Sequence, residues 1–307
     1  MGLSASESSR GAVAVAVAAM LWGTWKLWLV GPGLDSGAQG GLVLTTAGVL
    51  ASGLAIWQRG GLPRVSRRAW LFLAGYGVAE AINCGLYFLA LTSGDTATAA
   101  VTHYLAPVLI AVASPLLREP LGRRALPAAI VSFAATLALV GFGATSSGTR
   151  LAALAGAGSA VFYAACVFLA KRVSGVFRPW ELVGFHDLIA GPLIALTART
   201  SLRSASSHEL GLALVGAVVG GTIATGLYLY GLSRVPAARA GILAYLEPVS
   251  ASLVGATLLH ETITSGQLVA MCVILLAGAA VALETVPNER EPRQADGPPR
   301  LVEPGDR

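Results

Sequence analysis

Six ionisable side chains stand inside apolar stretches of this sequence: Lys26, Glu80, His103, His186, Asp187 and Glu247. A charge at the centre of a hydrocarbon layer costs about 2.5–3.5 kcal/mol on insertion scales, so such groups face protein or water. Glu247 comes one residue before Pro248. A proline inside a helix leaves a carbonyl without its partner, a place suited to water, a proton or an ammonium group. A carboxylate there can take up and release a proton near neutral pH; the alternative is a neutral Glu hydrogen-bonded across a helix bundle. Glu80 carries the same two readings. His103 precedes Tyr104 and lies one turn before Pro107, so its ring serves proton exchange or packing. Asp187 can pair with His186 or accept a proton. Lys26 can neutralise a bound carboxylate, pair with Glu80, or snorkel outward. Trp22, Trp25 and Trp28 recur along one side of a helix, as a cavity wall or an interfacial belt. Pro107 and Pro248 bend their helices and are hinge candidates, or they shape a pocket.

The elements that must position these residues are membrane spans. The chain has 307 residues, 55 % hydrophobic and only 12 % charged, too little charge to cover a soluble domain. With about 20 residues per span, apolar runs predict ten helices, near 11–30, 38–57, 69–92, 96–117, 125–142, 151–170, 179–198, 210–232, 237–259 and 266–283. Residues 1–10 read as a cytoplasmic N-terminus and 284–307 as a disordered cytoplasmic tail. With the N-terminus inside, only Arg150, Arg199 and Arg203 fall outside, against seventeen basic residues inside and Lys26 within the first span. That asymmetry follows the positive-inside rule and places both ends in the cytoplasm of a cell inner membrane. The net charge of +5 therefore belongs to loops, not to a nucleic-acid face. Cys84, Cys166 and Cys272 lack metal-ligand spacing and read as buried small side chains. Neither a metal site nor a cofactor is expected.

Displaced by 141 residues, the sequence matches itself. Tyr87, Leu91, Tyr104, Leu105, Pro107 and Val108 meet Tyr228, Leu232, Tyr245, Leu246, Pro248 and Val249, and Trp22 meets Tyr163. After a one-residue gap, Leu116 to Glu119 meets Leu258 to Glu261. The repeating unit has five spans, 11–142 and 151–283. An odd number of spans inverts the second copy, and in carriers with that symmetry the site lies between the copies near the midplane. The ionisable groups break the symmetry: Glu80 meets Gly221, Glu247 meets Ala106, His103 meets Ala244 and Lys26 meets Val167. That favours binding or coupling over scaffold. Tyr104 and Tyr245 recur and serve the cavity, the scaffold or both. Glu119 and Glu261 recur at helix ends and read as pairing or capping groups.

These features resemble the drug/metabolite transporter superfamily, and within it the EamA-type ten-helix transporters. The resemblance rests on Trp22-Gly23, the duplicated Tyr-x-x-x-Leu, the two mid-helix prolines and the two closing glutamates. Lys26 departs from the pattern, standing closer to Trp22-Gly23 than the family's helix-1 lysine. The resemblance implies an all-α membrane protein of two inverted five-helix repeats. It also implies a secondary transporter that moves small metabolites out of the cytoplasm by alternating access. Carboxylates together with a lysine suit a zwitterion such as an amino acid. The sequence holds no Gly-x-x-x-x-Gly-Lys-Ser/Thr loop, so gradients drive it: proton antiport, substrate exchange and facilitated diffusion are the routes. The expected partners are a small-molecule substrate and the lipid bilayer, with monomer and homodimer both open. The alternatives are an intramembrane enzyme and a transporter-like sensor without flux. Against the enzyme, the sequence has no His-x-x-x-His, Glu-x-x-His or Gly-x-Ser-x-Gly pattern.

Overall fold

A computed structural model describes residues 5–28, 33–93, 96–119, 121–140, 149–200, 202–260 and 262–284. Glu261 and all of the expected tail except Glu284 lie outside the described residues. Among the described residues there is no strand, and the protein is all-α. Among the described residues the helices fall into ten rods in chain order. The first is α1 (Ala5–Trp22) continued by the short α2 (Trp25–Trp28), followed by α3 (Ser36–Arg59) and α4 (Arg67–Ser93). The fourth is split into α5 (Thr96–His103) and α6 (Ala106–Ala113), and α7 (Ala125–Val140) closes the first copy. The second copy has α8 (Thr149–Val173) and α9 (Pro179–Ala195). Its next rod runs from α10 (Ser207–Gly216) through a π-helical stretch, Ala217–Ala224, to α11 (Thr225–Leu232). The last two are α12 (Ala237–Ala244) with α13 (Leu246–Leu258), and α14 (Ser265–Ala282). Seven of the rods are long and apolar enough to cross a membrane, and Ala125–Leu139 is a shorter apolar helix.

The packing is symmetric under exchange of the copies. α3 lies against its own counterpart α9, and α7 against its counterpart α14. α4 packs on α8 as α11 packs on α1. The α3–α9 pair runs antiparallel: Gly41 abuts Ala195 near one end, Gly48 abuts Leu188, and Ser52 abuts Gly184 toward the other. Gln267 at the start of α14 likewise donates to the Leu139 carbonyl at the end of α7. Antiparallel packing of equivalent helices is what an in-plane two-fold produces, so the second copy is inverted. The close approach depends on small residues. A Cβ on Gly48 would lie 2.7 Å from the Leu188 amide nitrogen. In lipid such backbone proximity supplies the dispersion contacts that hold helices together.

Polar groups tie each end of the bundle. At one end Arg59 makes a two-pronged ion pair with buried Glu181. Nearby, Lys171 Nζ sits 2.7 Å from Glu119 Oε1 and donates to the Val235 carbonyl. Glu119 Oε2 accepts the amide of Ala237, the first residue of α12. The expected pairing and capping role of Glu119 is therefore met by Lys171 and Ala237. At the opposite end Asp35 caps α3 through the Ala38 amide and also accepts the amides of Arg199 and Thr200. Glu209 accepts the Gly33 amide.

The breaks were only partly foreseen. The first rod is interrupted at Gly23-Thr24 and not continuous. There a Cβ on Gly23 would meet the Glu247 carbonyl and the Ala251 amide at 2.7 Å, so α1 passes directly over α13. Pro107 and Pro248 stand just after short interruptions at Tyr104-Leu105 and Tyr245, at matching places in the two copies. Arg118 and His260, equivalents in the repeat, both take left-handed backbone conformations, with φ of 55° and 57°.

Candidate functional site

The two helix breaks meet at the centre. The Tyr245 hydroxyl donates to the backbone carbonyl of Tyr104 at 2.9 Å, joining the break of one copy to that of the other. The Tyr104 hydroxyl lies near the Glu247 carboxylate. The two equivalent tyrosines sit differently: fully buried Tyr245 ties the copies together, and half-buried Tyr104 stands near Glu247.

Around this pair the other repeated aromatics converge. His103 lies against Tyr87 with ring centres 4.4 Å apart, and its ring edge meets Tyr104 and Tyr163 at 5.8 and 5.7 Å. Trp22 packs on Tyr228 at 5.0 Å and donates its indole N–H to the Gly220 carbonyl in the π stretch. That stretch is where carbonyls are displaced from ordinary α-helical bonding. The surroundings thus hold three repeat-related pairs, Trp22 with Tyr163, Tyr87 with Tyr228, and Tyr104 with Tyr245, of which Tyr228 and Tyr245 are buried. Trp22, Glu80, Tyr87, His103, Tyr104, Tyr163 and Glu247 all remain partly accessible although they sit mid-bundle.

His103 is oriented by a polar relay. Ser159 Oγ donates to Asn83 Oδ1 at 2.8 Å, and His103 Nδ1 lies 2.8 Å from the same Ser159 oxygen. With its one proton committed, Ser159 can only accept from His103. Nδ1 then carries the ring proton and Nε2 is the basic nitrogen of the neutral imidazole.

A second polar cluster adjoins the first. Glu80 accepts from the Cys84 thiol at 3.3 Å and is in electrostatic range of Tyr76, Cys166, His186 and Asp187. Tyr163 feels both Glu80 and Glu247 and so bridges the clusters.

Of the residues singled out from sequence, Glu247, His103, Tyr104 and Tyr245 come together in the first cluster, and Glu80 with Asp187 in the second. Trp22 lies beside Tyr228. Trp25 and Trp28 instead pack on Gly220 and Gly216, as structural contacts. Lys26 is in α2, and its side chain lies outside the described residues. Pro107 and Pro248 are buried beside the breaks. Sequence reasoning did not single out Asn83 and Ser159, because small polar residues in an apolar helix carry no distinguishing signal. Tyr87, Tyr163 and Tyr228 were visible as repeat partners but were not read as site residues. A separate groove of about 480 Å³, lined by Ser9, Arg10, Val13, Val17 and Leu227 among others, lies on the flank of α1 away from these groups.

A duplicated, inverted helical bundle with partly accessible polar groups where the copies meet is the architecture of a membrane carrier. The chain belongs to the EamA-like transporter family, which matches it twice, over residues 9–141 and 150–283. It is 29 % identical over 213 residues to an uncharacterized transporter of Archaeoglobus fulgidus, covering 68 % of this chain and 75 % of that protein. It is 32 % identical over 154 residues to the threonine/homoserine exporter RhtA of Salmonella typhimurium, covering 49 % of this chain and 50 % of the exporter. A solved structure described only as a protein superposes with a TM-score of 0.76 at 23 % identity, over 89 % of this chain and 98 % of that one. That likeness supports the fold. The resemblance read from Trp22-Gly23 and the duplicated Tyr and Pro positions is borne out.

Proposed function

We propose that the protein exports a small zwitterion, an amino acid or a close relative, across the cytoplasmic membrane, with Glu247 binding its ammonium group or a proton in turn. The observation that carries this reading is the placement of Glu247. It is a partly accessible carboxylate near the Tyr104 hydroxyl, at the junction of the two copies. An ammonium group beside Glu247 also meets the faces of Tyr87, Tyr104 and Tyr163, which favour cations. Tyrosine hydroxyls and Lys26 are the candidate donors to the substrate carboxylate. Glu80 extends the polar path toward Asp187.

Alternating access follows from the symmetry. Each copy takes the conformation of the other, the helices turn at the breaks beside Pro107 and Pro248, and the two tied ends open in alternation. Lys171–Glu119 closes the end read as cytoplasmic, and the Asp35 cluster closes the outer end. Proton antiport requires that proton and ammonium compete for one carboxylate, which Glu247 satisfies without a second site. The exporter named among the relatives supports the substrate class. A family composed of transporters favours a carrier over an intramembrane enzyme or a flux-free sensor.

The test is counterflow in proteoliposomes, with labelled threonine and homoserine, a neutral sugar and a dicarboxylate. The reading expects trans-stimulated exchange of the zwitterions alone and its loss in Glu247→Ala. Exchange confined to the sugar or the dicarboxylate overturns the substrate class.

A further inference from the structure

His186 and Asp187 lie on α9, away from the Tyr104–Glu247 contact, and both are almost completely buried, at 2 % and 1 % exposure. The His186 ring stacks flat on Tyr76 of α4, with centres 4.0 Å apart and planes 7° apart. Its Nδ1 lies 2.6 Å from the Leu182 carbonyl. A carbonyl only accepts, so Nδ1 carries a proton. The other nitrogen, Nε2, lies 3.1 Å from Asp187 Oδ1. Neither Asp187 oxygen has a hydrogen-bond donor, because the Nε2 contact is close but poorly aligned.

Two buried acceptors 3.1 Å apart with no donor between them are costly. If His186 is neutral with its proton on Nδ1, Nε2 is bare, and an ionised Asp187 would set a full charge against it with no donor anywhere. Adding one proton removes the conflict. On Asp187, it gives an O–H that turns to Nε2; on Nε2, it gives an imidazolium beside a carboxylate. The surroundings supply no substitute. From α3 the neighbours are Gly48, whose position abuts Asp187, and Ser52, whose own hydroxyl is unpartnered. From α4 come Tyr76, Cys84 and Glu80, the last a further acid. From α11 comes Tyr228, facing Glu80, and from α8 Cys166, also facing Glu80. Every one of these titratable groups is neutral or negative. Arg59, the cation of α3, is engaged with Glu181.

We infer that His186 and Asp187 form a second proton-binding site, holding one proton between Nε2 and Oδ1 at neutral pH. The site is separate from Glu247, so the chain has two places at which a proton can ride.

The test needs no substrate and therefore stands apart from the transport reading. The intact chain is labelled with ¹⁵N-histidine, placed in lipid nanodiscs at pH 7, and examined by ¹⁵N NMR alongside infrared spectroscopy of the carboxylic-acid carbonyl band. The result expected is either an imidazolium signal from His186 or an acid carbonyl band that vanishes in Asp187→Asn. A neutral His186 with a bare Nε2, together with no acid band assignable to Asp187, overturns the proposal. Should His186→Gln fail to fold, the signal is assigned by elimination with His103, His208 and His260 each replaced by Gln. Should Asp187→Asn fail to fold, ¹³C-aspartate labelling of the wild type reports the carboxyl directly.

Discussion

Tyr104 and Tyr245 occupy equivalent places in the two copies, yet one hydroxyl holds a backbone carbonyl and the other lies near a carboxylate. The difference yields a paired prediction. Tyr245→Phe deletes a buried inter-copy hydrogen bond, which contributes about 1 kcal/mol, and leaves the Tyr104 carbonyl unpaired. A lower unfolding midpoint in detergent is expected. Tyr104→Phe deletes only the hydroxyl near Glu247, so the midpoint should barely move while substrate affinity falls several-fold in counterflow. Equal stability losses in both variants would mean that Tyr104 is scaffold as well. At this scale the sequence was informative where symmetry could be read. The offset of 141 picked out all three aromatic pairs around the site, and the broken symmetry at Glu80, His103 and Glu247 picked out its ionisable groups. The Asn83–Ser159–His103 relay was not legible, because it joins three separate rods and depends on geometry that no spacing encodes.

Among the elements, α3 and α9 show how glycine sets helix distance. A methyl at Gly48 would press on the Leu188 backbone, whereas a methyl at Gly53 of the same helix meets nothing within 4 Å. Gly48→Ala should therefore cost about 1–3 kcal/mol, and Gly53→Ala should be neutral or stabilise by up to about 1 kcal/mol through helix propensity. Thermal unfolding of the two variants side by side checks this, and equal behaviour would refute the close packing of α3 on α9. Rod positions were readable from apolar length. The break at Gly23-Thr24 and the π stretch Ala217–Ala224 were not, because both arise where one rod crosses another. Gly23 lies on the Glu247 carbonyl, and Gly220 offers its carbonyl to Trp22. The proline positions did mark the Tyr104 and Tyr245 interruptions, since a missing N–H frees a carbonyl wherever the helix lies.

For the whole molecule, the decisive property is that both ends are tied while polar groups in the middle stay partly accessible. The Asp35 knot is sensitive to acid. Partial burial opposes ionisation of Asp35, but the Ala38, Arg199 and Thr200 amides and the Thr200 hydroxyl outweigh it and hold the carboxyl below its ordinary value of 3.8. The folded form thus binds the proton less readily than the unfolded chain. Its stabilisation is complete above that ordinary value and is lost as pH falls through the lowered one. Asp35→Ala should cost about 1 kcal/mol at neutral pH, as a lost helix cap does, and the deficit should shrink toward pH 3 in a detergent unfolding series. A constant deficit would contradict the assignment. The inverted duplication was legible from the repeat and the odd span count, and the antiparallel α3–α9 contact displays it physically. The central claim is that Glu247 exchanges a proton for the substrate's ammonium group. The most direct measurement is zwitterion flux in proteoliposomes with and without an imposed pH gradient, for wild type and Glu247→Gln. Gradient-driven accumulation in the wild type, and flux indifferent to the gradient in the variant, is the expected result. Flux that follows the gradient equally in both proteins would contradict it.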